Sequence, residues 1–97
     1  MTTTVQPLLP LQPVRRDNDA LEIVVSQRHI RTGVHGSPWR CPVALALRSA
    51  GHESVMVACG YLMIGARRYT LPESLAQWIS DYDHCQPVHP ERWVLRP

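Results

Sequence analysis

The chain contains no phenylalanine, and all ten of its basic residues are arginine, so lysine is missing as well. Asn18 is the only asparagine. Lysine, asparagine and phenylalanine have AT-rich codons, whereas Arg, Ala, Pro, Gly and Val have GC-rich ones. The bias points to a GC-rich genome and reflects mutation pressure rather than function. Cysteine is scarce: Cys41, Cys59 and Cys85 are an odd number and form no C-x-x-C. A small secreted scaffold stapled by disulfides would normally carry more, so free thiols in a reducing cytoplasm are expected. No stretch approaches the ~18 consecutive apolar residues that cross a membrane. The opening MTTTVQPLLPLQP has no basic region ahead of its apolar part and is broken by prolines, unlike a secretory signal. A strong field of either sign is also missing. The net charge of +2 and pI near 8.6 fall well short of a dedicated nucleic-acid binder. No glycine-rich phosphate loop, supported carboxylate pair or G-x-S-x-G is present.

What is there suits one small folded domain. The 97 residues are 44% hydrophobic and 19% charged, a globular balance. A chain of this size buries roughly 60–65% of its unfolded surface, so its core is modest. Residues 1–18 differ from the rest, with Pro7, Pro10 and Pro13 at every third position, a spacing that favours a polyproline II path. They read as a flexible Pro-rich arm. Leu8, Leu9 and Leu11 within it could serve as a short docking motif, or lie along the domain or a second copy of it. Residues 19–97 read as a single compact domain.

Within that domain, ALEIVVSQ (20–27) alternates as a strand, and His29 to Arg31 would continue it beyond a bulge. VALALRSAG (43–51) reads as a helix with Pro42 in its first turn and Gly51 as its stop. Only Arg48 and Ser49 in it are polar, so it should be buried nearly all round. SVMVACG gives a second strand. YLMIGARRYTL folds as a hairpin around Gly65-Ala66, opposing Leu62 to Tyr69 and Ile64 to Arg67. Residues 70–83 carry capping-box spacing between Thr70 and Glu73, with Leu71, Leu75, Ile79 and Tyr82 on one helical face. ERWVLRP closes the chain as a strand. The expected order is β-α-β-β-β-α-β, an α+β two-layer sandwich with an antiparallel or mixed sheet and both helices on one face.

Candidate chemistry is sparse. Cys41 stands at a helix N-terminus, where the dipole lowers a thiol pKa, and His35 is near in sequence. The apolar helix that follows favours a buried, inert thiol instead. His84, Cys85 and His89 match no zinc template. No catalytic residue, cofactor or metal is expected. Arg67 and Arg68 beside Tyr61 and Tyr69 could grip phosphate, and residues 42–83 have the α-β-β-β-α order of a double-stranded-RNA-binding domain. The lysines such a domain carries at its last helix are missing here, where the chain reads PESLAQW. Trp39 lies in a loop beside Arg40, and exposed Trp and Arg are the residue types enriched in interface hot spots. Trp78 sits one position off the Leu75–Ile79 face and should be half buried.

CPVALAL, a Y-T-L-P opening a helix, WISDYD and PVHPERWVL together resemble a pattern in small uncharacterised proteins of bacteriophages that infect high-GC actinobacteria. The resemblance covers residues 20–97 and rests on turn and core residues. It implies a small accessory protein acting on host or phage machinery in the bacterial cytoplasm, and it carries over no active-site residue. The expectation is a non-enzymatic protein that binds a host protein during infection, with Trp39, Arg40, Arg67 and Arg68 as contact residues. The alternative is a small nucleic-acid-binding regulator that uses the hairpin arginines. An available strand edge and the apolar arm leave homodimerisation open.

Overall fold

The computed structural model describes residues 20–96. The expected arm at 1–18 lies outside the described residues. The chain runs β1 (Leu21–Val25), α1 (Gln27–Thr32), α2 (Pro42–Ser49), β2 (Val55–Val57), β3 (Tyr61–Ile64), β4 (Arg67–Thr70), α3 (Glu73–Asp83) and β5 (Glu91–Leu95). It is an α+β fold. β1 pairs antiparallel with β5, Ile23 facing Trp93, while β2, β3 and β4 form an antiparallel meander.

The α+β class expected from the sequence holds, and the order β-α-β-β-β-α-β recurs with one added helix; two details differ. Two small sheets replace the single one, and residues 27–32 form a helix rather than prolonging the first strand. Ser26 causes the change of direction. Its Oγ accepts from the His29 amide, and His29 Nδ1 accepts in return from the Ser26 amide at 3.0 Å. This is a capping box with histidine in the place usually held by Glu or Gln. His29 Nε2 then donates to Ser49 Oγ at 3.0 Å, tying α1 to the last turn of α2. Because Nδ1 accepts from an amide, the ring is neutral.

The helix at 42–49 forms as its sequence predicts. Pro42 occupies the first turn, where its missing N–H costs nothing, and Pro42, Val43, Ala44, Ala46 and Leu47 are buried. Its end is a Schellman motif: His52 N–H reaches Leu47 O at 3.1 Å, Gly51 N–H reaches Arg48 O at 2.9 Å, and Gly51 adopts φ +101°. Helix α2 packs against β1, β2 and α1. At its start the approach is close, since a Cβ on Gly33 would come within 2.8 Å of the Pro42 ring.

Helix α3 begins at Glu73 with Pro72 as its N-cap and no side-chain cap bond. The expected Thr70–Glu73 capping box does not form. A proline biases the residue before it toward extended backbone, so Leu71 stays out of the helix and Thr70 remains in the ladder opposite Tyr61. Trp78 is buried rather than half buried, and Ile79 is only partly covered. The inward stripe is therefore Leu75, Trp78 and Tyr82. Trp78 stands edge-on to Trp93 with centroids 5.7 Å apart, and its indole N–H donates to His89 O at 2.9 Å. The hairpin register is as expected, with Leu62 opposite Tyr69 and Ile64 opposite Arg67.

The His29 pKa is lowered by burial and by the charge of Arg28. The unfolded chain therefore takes up a proton near pH 6.5 that the folded chain resists until lower pH. Unfolding binds protons in that window, so stability falls as the pH drops below about 6.5 and the contribution is fully present above it. Denaturant midpoints for the native protein should decline between pH 7 and 5. His29→Gln, which can keep the capping box, should flatten that decline; an unchanged slope would contradict the assignment.

Candidate functional site

The loop from Gly33 to Cys41 lacks regular structure yet is tightly bonded. Val34 N–H donates to Arg40 O at 2.9 Å and Cys41 N–H to Ser37 O at 3.2 Å, closing the loop on itself. Arg40 N–H donates to Ser37 Oγ at 3.0 Å. Two bonds fasten the loop to its surroundings: Gly36 N–H to Asp83 Oδ1 at 2.8 Å, and Val57 N–H to Pro38 O at 2.8 Å. Gly36 adopts φ +72°, a conformation glycine reaches at no steric cost. At the crest of this fixed loop Trp39 is 55% exposed, and Arg40 is exposed beside it.

The same loop forms one wall of a cleft of about 530 Å³, within the range of small-ligand pockets. Its opposite wall is the face of α3 that carries Ala76, Ile79, Ser80 and Asp83. These residues are spaced i, i+3, i+4, i+7 and so share one helical face. Val57 to Gly60 and Leu71 complete the lining.

Cys41 touches this cleft but is only 4% exposed. Burial pushes its thiol pKa up, against the pull of the Ala44 and Val43 amides and with a further upward push from Asp83. An activated thiol shows the opposite shift. His35 opens onto a different depression, with Ile30 and Val88. Its ring stacks on Tyr82 at 4.3 Å with 12° between planes. Sequence neighbours that could have formed a thiol–imidazole pair therefore face different surroundings. The Tyr82 hydroxyl donates to Ile30 O at 3.1 Å, and burial, helped by Cys41, Asp83 and Cys85, raises its pKa so that it stays a donor. Among the described residues no cluster of three His, Cys, Asp or Glu is placed to hold a metal ion, and no helix is long and apolar enough to cross a membrane.

The two hairpin arginines are separated by the pleat. Arg67 lies opposite Ile64 on the side facing the core, and Arg68 lies opposite Met63 on the outer side. Arg68 stacks over the Tyr61 ring, 4.2 Å from its centroid. The four predicted contact residues thus fall on different parts of the fold, with only Trp39 and Arg40 adjacent to the cleft. The sequence reading missed Asp83, whose carboxylate holds the loop, and the small and apolar residues that line the cleft. The i, i+3, i+4, i+7 spacing from Ala76 to Asp83 was the available signal. Comparison with known protein families, with curated proteins and with solved structures gives no match.

Asp83→Ala should free the Gly36 amide and destabilise the fold by about 1 kcal/mol, the usual worth of one hydrogen bond. Exchange of the Gly36 amide hydrogen should accelerate with it. Unchanged exchange would show that the carboxylate does not hold the loop.

Proposed function

We propose that this is a non-enzymatic accessory protein of a bacteriophage that binds a host protein in the bacterial cytoplasm during infection, in host takeover or defence modulation. One observation carries the reading: Trp39 is 55% exposed on a loop fixed by hydrogen bonds along its length. Exposing a large aromatic ring forgoes hydrophobic stabilisation. Binding through a pre-ordered loop avoids the ordering cost that weakens association, and Trp and Arg are both residue types enriched in hot spots. Val34, 44% exposed at the base of the same loop, extends the apolar surface. The sequence resemblance to phage proteins supplies the setting, and the raised Cys41 thiol pKa argues against a nucleophilic role for that residue.

A second reading, a small nucleic-acid-binding regulator, is favoured by Arg68 seated on Tyr61 at the outer face of the meander, an arrangement suited to stacking and phosphate contact. It is weakened by the placement of Arg67 on the other face.

Capture from an actinobacterial host lysate, after nuclease treatment and at physiological salt, should recover a specific protein. Trp39→Ala should weaken that binding by about 30-fold or more, the effect of losing a hot spot of about 2 kcal/mol. Arg68→Ala should leave it unchanged. Loss of capture with Arg68→Ala but not Trp39→Ala, or binding that decays steeply with salt and needs nucleic acid, would overturn the reading.

A further inference from the structure

The ribbon formed by β1 and β5 has two unlike faces. Leu21, Ile23, Val25, Trp93 and Leu95 are buried, and α2 packs against β1. Side chains alternate along a strand, so Glu22, Val24, Arg92 and Val94 share the outer face, and all four are exposed. The solvated face of an antiparallel sheet is normally polar. Here two of these four positions are valine, with Val24 52% and Val94 55% exposed.

The register puts the four at the corners of a small quadrilateral. Glu22 lies opposite Val94 and Val24 opposite Arg92, so the valines take one diagonal and the charges the other. The charged diagonal is bridged, Arg92 Nε donating to Glu22 Oε2 at 2.6 Å. This pattern is its own complement. A second copy laid face to face, related by a two-fold axis along the valine diagonal, sets Val24 on its counterpart and Val94 on its counterpart. The same axis exchanges the ends of the charged diagonal, so Glu22 of each copy meets Arg92 of the other. The corners are about 7 Å apart along a strand and about 5 Å apart across the ribbon, and the long charged side chains span the mismatch between those lengths. An axis along the charged diagonal would instead set like on like. Axes along or across the strands would set every charge against a valine. One arrangement alone satisfies all four corners. An isologous contact demands such self-complementarity, whereas a foreign partner does not. The two ion pairs also join into a network of four alternating charges, the setting in which surface pairs contribute.

We propose that the outer face of the β1–β5 ribbon is the interface of a homodimer, with its two-fold axis along the Val24–Val94 diagonal and Glu22 of each copy on Arg92 of the other. The two ribbons cross at about 70° for ideal strand spacings, nearer the orthogonal than the aligned class of sheet packing. The contact is small, so the dimer belongs with weak, transient assemblies. This inference stands apart from the reading of a host partner, because it uses no residue of the Trp39 loop.

Sedimentation equilibrium of the full-length protein, from micromolar to millimolar concentration, tests it. The native chain should pass from monomer to dimer and no further, since an isologous contact closes on itself. Glu22→Arg puts like charges at both crossings of the dimer, and Arg92→Glu does so with the opposite sign. Each variant alone should associate at least about tenfold more weakly, because like charges set opposite one another repel. An equimolar mixture of the two variants should recover the dimer, because both crossings then carry opposite charges. The mixture restores the ion pair within neither chain, so recovery reports the contact between copies and not the stability of either fold. A native chain that stays monomeric throughout overturns the proposal and leaves the face to a foreign partner. A dimer indifferent to the single reversals, or a mixture that does not recover, overturns it by placing the contact elsewhere. In a mixture of isotope-labelled and unlabelled native chains, nuclear Overhauser contacts between the Val24 methyls of the two copies are expected. Their absence where the dimer is populated overturns the proposal whatever the variants do.

Discussion

Burial of α2 is the constraint from which the rest of the structure follows. A two-stranded ribbon is marginally stable at best alone in water, and the meander's strands are only three to four residues long. Each has one apolar face, and α2 lies against strands of both. Val43, Ala44 and Leu47 have no exposed surface at all. A helix this apolar cannot face solvent, so both ends must be made without long polar excursions. The C-terminal end is closed by the Gly51 Schellman turn. The N-terminal end is closed by proline, pressed on one side by Gly33.

That closure dictates the loop before the helix. The chain leaves α1 at Gly33, must return at Cys41, and has both points fixed by the contact of Gly33 with Pro42. The intervening residues are bonded across the loop, from Val34 to Arg40, and outward to β2 and to α3. A loop held this way can carry an exposed tryptophan without the side chain collapsing onto the core. The core is already filled beneath it by Cys41 at one end, and α3 contributes the Trp78–Tyr82 pair, parallel to within 5° at 6.0 Å. The surface that the functional proposal uses is thus a by-product of how the buried helix is started.

Much of this was legible in the sequence where one residue controls the backbone. Pro42 and Gly51 bounded α2, Gly65-Ala66 set the hairpin register, and alternation in LEIVV identified the inward side chains of β1. The failures arose where an unusual residue filled a known role, where two local signals competed, or where a partner distant in sequence decided burial. α1 was missed because histidine, rather than Glu or Gln, completes the capping box at Ser26. The start of α3 was misplaced because the restriction that Pro72 imposes on Leu71 outweighs the capping-box spacing. Trp78 shares the i, i+3, i+7 stripe with Leu75 and Tyr82 and packs against Trp93 of β5; the competing Leu71–Leu75–Ile79 spacing obscured that stripe. Trp39 was singled out by type and setting, whereas the cleft next to it depends on residues from three separate segments meeting.

The central claim is that the Trp39 loop is a rigid platform rather than a mobile connection. Backbone ¹⁵N relaxation over residues 34–41 measures this directly. The account predicts order parameters close to about 0.85, indistinguishable from those of α2, whereas values below about 0.6 would mark a flexible loop and contradict it.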